Sequence, residues 1–476
     1  MSNPASSRPT ETERELPSLP QVDTSRQAWA FVFASFLVET LLWGPLNSNG
    51  VFLKEYASLQ VFATSSETKI SLIETLSLFL GYAAGLPLLY IYNRYPQYMK
   101  PSIWGGLVLY TVSLLSASFV DSMNLLILFQ GIGPGLAAAL CAFPIIRWLP
   151  EWFDKRRGLA GGFIFSGGGV GGVYMPIFFQ FVIDRLGYKW SLRISALITA
   201  AVAGLAIPFV NPRIPLASTA HTRQMPMPPL LSTFLRVGFF GCFLCTLLQA
   251  FGFFNVGLFL PRFSDTLDAT AGAGLLSAFN VSCIFAQLLW GFLTDRMKAS
   301  SAMALSSSLG CLFVLTMWGF GGGIGLAVLA PFAIVFAVFT GGFTSMWSQS
   351  AYNIAGPDKE QQTMLFSGFS IARGLGAALG PTIGAELYRQ PSTAGPQRWG
   401  SAGSPGLVAL VAASLAGSAI VGLLFAHART MWEIVVKSRD DEGGQVQGEG
   451  FEMGASGAGA GAGAGASNGA SGVRAG

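Results

Sequence analysis

"RRGLAGGFIFSGGGVGG", residues 156–172, decides how the chain is to be read. Gly167, Gly169 and Gly172 satisfy G-x-G-x-x-G. In a dinucleotide-binding turn that pattern follows a β-strand, opens a helix and precedes an acidic residue about 20 positions on. Here the glycines lie inside an apolar run, 159–183, with no strand pattern around them. The pairs Gly158/Gly162, Gly167/Gly171 and Gly168/Gly172 fit G-x-x-x-G instead. That spacing bares one helix face and lets a second helix approach its backbone closely. The stretch reads as a membrane helix made for contact.

Composition points the same way. Of 476 residues, 51% are hydrophobic and only 11% are charged, against about 25% charged in a soluble domain. Runs of about 20 apolar residues cross the hydrocarbon core as helices. Twelve such spans are expected, at 28–50, 71–92, 103–120, 123–146, 159–183, 191–210, 236–260, 272–293, 302–320, 325–347, 364–386 and 405–426. The fold class is all-α and integral to the membrane.

The Pro-rich, polar stretch 211–235 divides the spans six and six. The expected organisation is a disordered N-terminus over 1–26, a six-helix bundle over 27–210, a linker over 211–235, a second bundle over 236–426, and a tail over 427–476 that decays into Gly/Ala/Ser repeats. No cleavable signal peptide is expected ahead of the first span. With both termini inside, the inner segments hold 19 of the 28 Lys and Arg, the outer loops hold eight, and Arg373 lies within a span. The positive-inside bias therefore favours cytosolic termini. The plasma membrane is expected in preference to an internal one.

Several functional classes lose support. The basic residues are spread along the inner rim, so the net charge of +4 gives no nucleic-acid footprint. His221 and His427 sit in the linker and at the end of the last span, so neither supplies a catalytic or metal pair within the membrane. Cys141, Cys242, Cys245, Cys283 and Cys311 all fall inside spans and read as small buried hydrophobes. No Walker loop is present. Neither an enzyme, a metal nor a cofactor is expected.

Two loops carry related motifs. "GFLTDRMKAS" follows the eighth span, with Gly291, Asp295, Arg296 and Lys298, and "GLPLLYIYNRYPQYMKP" follows the second, with Gly85, Asn93, Arg94 and Lys100. Both resemble the G-x-L-x-D-R-x-G-R-R signature of the major facilitator superfamily, at the corresponding place in each half. The second copy lacks the later glycine, and the first has Asn93 in place of the acid. The glycine admits a neighbouring helix, and Arg94, Asp295 and Arg296 are gate-latch candidates for the closed inner side.

A narrower resemblance covers most of 28–210. "WAFVFASFLVETLLWG…GVFLKEY" is similar to the first span of the monocarboxylate transporter family. "WFDKRRGLAGGFIFSGGGVGG" with "RLGYKWSLR" resembles that family's fourth-to-sixth span region, and "GLGAALGPTIGAEL" loosely resembles its eleventh span. The resemblance implies two six-helix bundles around a central cavity, working by alternating access. Its implied partners are a small-molecule solute, protons and the lipid bilayer, with a monomer as the expected state.

Charges at membrane depth cost about 2.5–3.5 kcal/mol each on insertion scales, so each is a functional candidate. Lys54 matches the lysine that family members place at the outer end of the first span, where an ammonium meets a carboxylate; the other reading is a side chain snorkelling at the rim. Arg373, inside the eleventh span, suits a bidentate carboxylate contact or serves as an inter-helix tie. Glu39, mid-span in the first helix, is the proton-coupling candidate, or pairs with a cation such as Arg373, or is inert. Proton-coupled family members carry an Asp and an Arg on the eighth span, and those positions here are Cys283 and Gln287. Gln287 and Asn280 nonetheless share one face of that helix, and with Asn255 they complete the polar substrate-site candidates.

The function expected is secondary transport of a small organic solute, a carboxylate first, with proton coupling. The alternatives are a transporter-like sensor that binds solute without moving it, and a facilitator of neutral or larger metabolites.

Overall fold

The computed structural model describes residues 19–48, 50–62, 67–214, 234–264, 271–388, 399–400 and 405–425. The described residues are helical, with no strand among them. Among the described residues, ten helices are long and apolar enough to cross a membrane. In chain order with two further helices they are α1 (Arg26–Leu46), α2 (Lys69–Arg94), α3 (Met99–Ala117), α4 (Met123–Trp152), α5 (Arg157–Leu186), α6 (Tyr188–Phe209), α7 (Val237–Ser264), α8 (Ala271–Thr294), α9 (Ala299–Gly321), α10 (Leu326–Ala355), α11 (Lys359–Leu387) and α12 (Pro405–Phe425). The two additions are α3, diluted by Lys100, Ser and Gly, and α11, rich in Gly, Ser and Thr. With twelve crossings, α1 begins and α12 ends on one face of the molecule, called here the terminal face.

Local chemistry sets the helix ends. Ser25 caps α1 by accepting the Ala28 N–H at 3.2 Å, and Asp358 caps α11 by accepting the N–H groups of Glu360 and Gln361, each satisfying donors that a first turn leaves orphaned. Gly187, at φ 82°, makes the turn between α5 and α6 in a region that a Cβ would penalise.

The tenth span differs from its expected course. It breaks after Thr340 at Gly341-Gly342, passes through a tight turn over Phe343–Ser345, and resumes as Met346–Ala355. Glycine permits the break, and α8 fills it. A Cβ on Gly342 would lie 2.6 Å from the Trp290 ring, while the Trp290 indole donates to the Val338 carbonyl at 3.1 Å.

Residues 19–25, read from the sequence as part of a disordered lead-in, dock on the terminal face. The Asp23 carboxylate accepts the amide N–H groups of Asp154, Lys155 and Arg156 at 3.1–3.2 Å, and the Arg213 Nε donates to the Pro20 carbonyl. The first 18 residues, most of the linker and the tail from 426 lie outside the described residues.

The glycines of α5 meet two partners. Gly158 and Gly162 face α8: a Cβ on Gly158 would lie 2.7 Å from the Asp295 carboxylate, and one on Gly162 would strike the Gln287 backbone. Gly167 and Gly171 face α1, where a Cβ would come within 2.5 Å of the Phe36 or Thr40 carbonyl. Gly172 is roomier, its nearest neighbour being the Asn280 amide at 3.6 Å. Gly171→Ala is therefore expected to cost about 1–3 kcal/mol through overpacking, and Gly172→Ala to leave stability unchanged or raise it. Thermal unfolding of the two proteins in detergent checks this, and equal melting temperatures would contradict the packing asymmetry.

Candidate functional site

At the terminal face the halves α1–α6 and α7–α12 are tied by polar contacts. The Asp295 carboxylate, just past α8, accepts the N–H groups of Gly158 at 2.7 Å and Leu159 at 2.9 Å. An acid there also meets the positive end of the α5 dipole. Burial raises the Asp295 carboxyl above its ordinary value, and the two backbone hydrogen bonds oppose that shift. Beside it, Arg157 is buried, donates to the Gln362 amide oxygen at 2.9 Å and lies 4.9 Å from the Tyr352 ring centre. Gly291 admits the contact, since a Cβ there would come within 3.0 Å of the Gly158 carbonyl carbon.

Deeper in, α1, α2, α7 and α11 converge on Arg373. Its guanidinium lies 5.2 and 5.1 Å from the ring centres of Phe253 and Phe254 and 6.0 Å from that of Tyr82. It approaches the Tyr82 hydroxyl and the Gln249 amide oxygen at 3.4 Å each. Tyr82 in turn packs on Trp43, ring centres 4.7 Å apart, and the Trp43 indole N–H is buried without an acceptor among the described residues. Arg373 is 5% exposed, and among the described residues no carboxylate lies within 4.0 Å of it. The result is a cation and an indole donor on one aromatic wall, with no acid to answer them.

The remaining sequence candidates are spread around this centre. Gln287 is occupied by the α10 break: its Nε2 donates to the Gly341 carbonyl and to Thr344, and its Oε1 accepts from Thr344 and Ser345. Asn280 donates to the Gly172 carbonyl at 3.1 Å, tying α8 to α5. Asn255 donates to Phe251 in its own helix, and its Oδ1 is buried without a donor at the glycine face of α11. Glu39 is buried in α1 on the side facing Cys141 of α4. It makes no ion pair among the described residues, and none with Arg373. Lys54 lies on the short helix Gly50–Ser58, and its side chain is outside the described residues. Tyr82, Phe253 and Phe254 carry no motif; only the fold brings them to Arg373. Arg157, Gln362 and Asp23 also escape a motif search, although the first belongs to the quoted K-R-R string.

The sequence profile of the Major Facilitator Superfamily matches residues 28–381. The chain belongs to that superfamily. The MFS-type transporter pynF of Aspergillus niger is 28% identical over 422 residues, covering 85% of this chain and 90% of pynF. The aspyridones efflux protein apdF of Emericella nidulans is 24% identical over 385 residues, covering 78% and 74%. Among solved structures, a Major Facilitator Superfamily transporter, FucP, in the outward conformation superposes with a TM-score of 0.61 at 16% identity, over 83% of this chain and 99% of FucP. That likeness shows the all-helical fold, and membership of the superfamily makes the chain a multi-pass membrane protein.

Within the superfamily fold the two signature loops are unequal. Asp295 holds the N-terminus of α5, whereas Asn93, at the matching place after α2, is buried with neither amide atom partnered among the described residues. Arg296 lies exposed, 3.9 Å over the Phe292 ring, and Arg94 packs near Tyr95. Hydrogen bonds to a charged group contribute about 1.5–3 kcal/mol, and every 1.4 kcal/mol is tenfold in an equilibrium. Asp295→Ala is thus expected to loosen the terminal face by at least tenfold. The readout is labelling of a cysteine placed at Ser348, which packs beside Gly161, by a membrane-impermeant maleimide; unchanged labelling would deny Asp295 the latch role.

Proposed function

We propose that this protein is a secondary transporter that exports an amphipathic organic anion, first of all a carboxylate, by alternating access. The observation that carries the reading is Arg373. A buried guanidinium without a counter-ion is costly in a bilayer, and its neighbours offer rings and neutral oxygens where a carboxylate would be expected. A ligand carboxylate supplies the missing charge, Trp43 offers a further donor, and Tyr82, Phe253 and Phe254 suit an apolar or aromatic body. The aspyridones efflux protein is named for export, which supports that direction for this relative of it.

In this reading the terminal face is cytosolic, both termini are inside, and the monomer works in the plasma membrane. The Asp295–α5 contact and the Arg157–Gln362 bond close the site to the cytosol. Bundles bounded near 210 and 236 then rock about the centre, with the glycine faces of α5 and α11 sliding on their partners. Glu39 takes and releases the proton: in α1 it has no cation to neutralise it, so a neutral form inside the bilayer is the inexpensive one. Lys54 stands at the outer end of the path, where an exported carboxylate leaves. The likeness to monocarboxylate transporters fits this charge logic, with Arg373 of α11 doing the work that Gln287 of α8 cannot.

The test is uptake of a labelled panel of carboxylates, from pyruvate to aryl-substituted acids, each with its methyl ester, into proteoliposomes with and without a proton gradient. Arg373→Gln is expected to reduce carboxylate transport about 10- to 100-fold, from the 1.5–3 kcal/mol of a charge-assisted bond, and Arg373→Lys to restore part of it. Glu39→Gln is expected to remove the gradient dependence while leaving exchange intact, and Lys54→Ala to slow transport without abolishing it. Equal transport of acid and ester, or an Arg373→Gln protein as active as the parent, would sink the anion reading. Binding without movement would instead make the protein a sensor.

A further inference from the structure

The terminal face holds a second polar space, unconnected with Arg373. It is a cleft of about 460 Å³, within the range of small-molecule pockets. Its walls come from both halves: Asp23, Glu151, Asp154, Lys155, Arg157 and Arg213 from the first, Lys359 and Gln362 from the second.

The three acids lining the cleft each have a partner, Glu151 through one oxygen only, its Oε2 being buried without a hydrogen bond among the described residues. Asp23 accepts three backbone N–H groups. Asp154 stands 3.6 Å from Arg157, and Glu151 3.4 Å from Arg147. Four cations line the cleft with these three acids, and Lys359 is attracted by Glu151. Lys155, Arg213 and Lys359 have no carboxylate within 4.0 Å among the described residues, although all three line one cleft. They arrive from separate elements: the α4–α5 loop, the segment after α6, and the first turn of α11. Buried Arg157, bridging to Gln362 across the halves at 2.9 Å, forms the floor.

We infer that this cleft binds a small multivalent anion, a di- or tricarboxylate or a phosphate ester, and that the bound anion holds the terminal face closed. Three cations without a close ion pair in a space of this size recognise two or more negative charges together, since a single charge would leave the others unanswered. Opening this face draws Lys359 and Gln362 away from Lys155, Arg157 and Arg213, so the complete site exists only while it is shut. A ligand that binds one state alone biases the equilibrium by mass action, about a hundredfold at 100 times its Kd. The anion is a brake on opening, and its site is distinct from the transport site.

The experiment uses the full-length protein carrying Ser348→Cys, labelled by an impermeant maleimide at fixed ionic strength. Citrate, ATP and inorganic phosphate are the added probes, and chloride is the control. Citrate or ATP is expected to slow labelling at least tenfold. The effect should vanish in Lys155→Gln/Lys359→Gln, survive in Lys155→Arg/Lys359→Arg, and survive in Arg373→Gln. Lys155 is exposed and Lys359 half-buried, so glutamine at either leaves packing intact; an unchanged melting temperature confirms it. Protection equal in chloride, or retained in the double glutamine variant, would overturn the site. Protection lost only in Arg373→Gln would also overturn it, by assigning the effect to the transport site. The readout is labelling alone, so a protein that moves no carboxylate could still show the brake.

Discussion

Everything in this fold depends on how closely α5 can approach its neighbours. One helix presents two glycine faces, Gly158/Gly162 to α8 and Gly167/Gly171 to α1. In lipid there is no hydrophobic force to press helices together, so backbone approach, dispersion and polar contacts must supply the association. The α1 seam lies within the first half and the α8 seam joins the halves. The same helix is therefore a structural member of one half and the bearing surface for the other. The approach also exposes the first N–H groups of α5 to Asp295, and a single carboxylate completes a contact that larger residues would prevent.

Polar chemistry follows from that geometry. Where helices pack backbone to backbone, side chains such as Asn280 and Gln287 are consumed in tying them: the first bonds to the Gly172 carbonyl, the second to the broken turn of α10. Where they diverge, larger residues fill the space, and Arg373 is held by rings and neutral oxygens. A structural tie for an arginine usually ends on a carboxylate, because a buried charge left unpaired is expensive. On the proposed reading, the charge that Arg373 lacks within the protein is the ligand's.

The class of the fold was legible because it rests on bulk properties. Low charge, apolar runs and the placement of Lys and Arg are read residue by residue and need no tertiary information. The glycine spacing in 156–172 was legible as a contact helix, but not which partner each pair would meet, since that depends on the arrangement of whole helices. The break in α10 was hidden within a continuous apolar run. Gly341-Gly342 marked it only weakly, and the residues that exploit it, Gln287 and Trp290, belong to a different helix. Site residues divided in the same way. Arg373 announced itself as a lone charge in a span. Tyr82, Phe253 and Phe254 look like any other aromatic residue in a membrane protein, and their meaning comes only from facing that charge. Glu39 and Arg373 invited pairing as charges of opposite sign at membrane depth, yet one faces α4 inside its own half and the other faces the junction.

The inequality between Asp295 and Asn93 connects these points. The second-half loop holds α5 while the first-half loop, at the matching place, carries an amide with no partner among the described residues. A carboxylate at Asn93 would carry a charge into a buried position, whereas an amide costs less while unsatisfied. The terminal face is fastened on the α5–α8 side by Asp295, and deeper in α2 and α11 are tied where Ser370 donates to the Tyr82 carbonyl at 3.0 Å. That second contact runs through the same Tyr82 whose hydroxyl meets Arg373. On the proposed reading, a ligand that draws Arg373 away from Tyr82 acts on the residue that also ties α2 to α11.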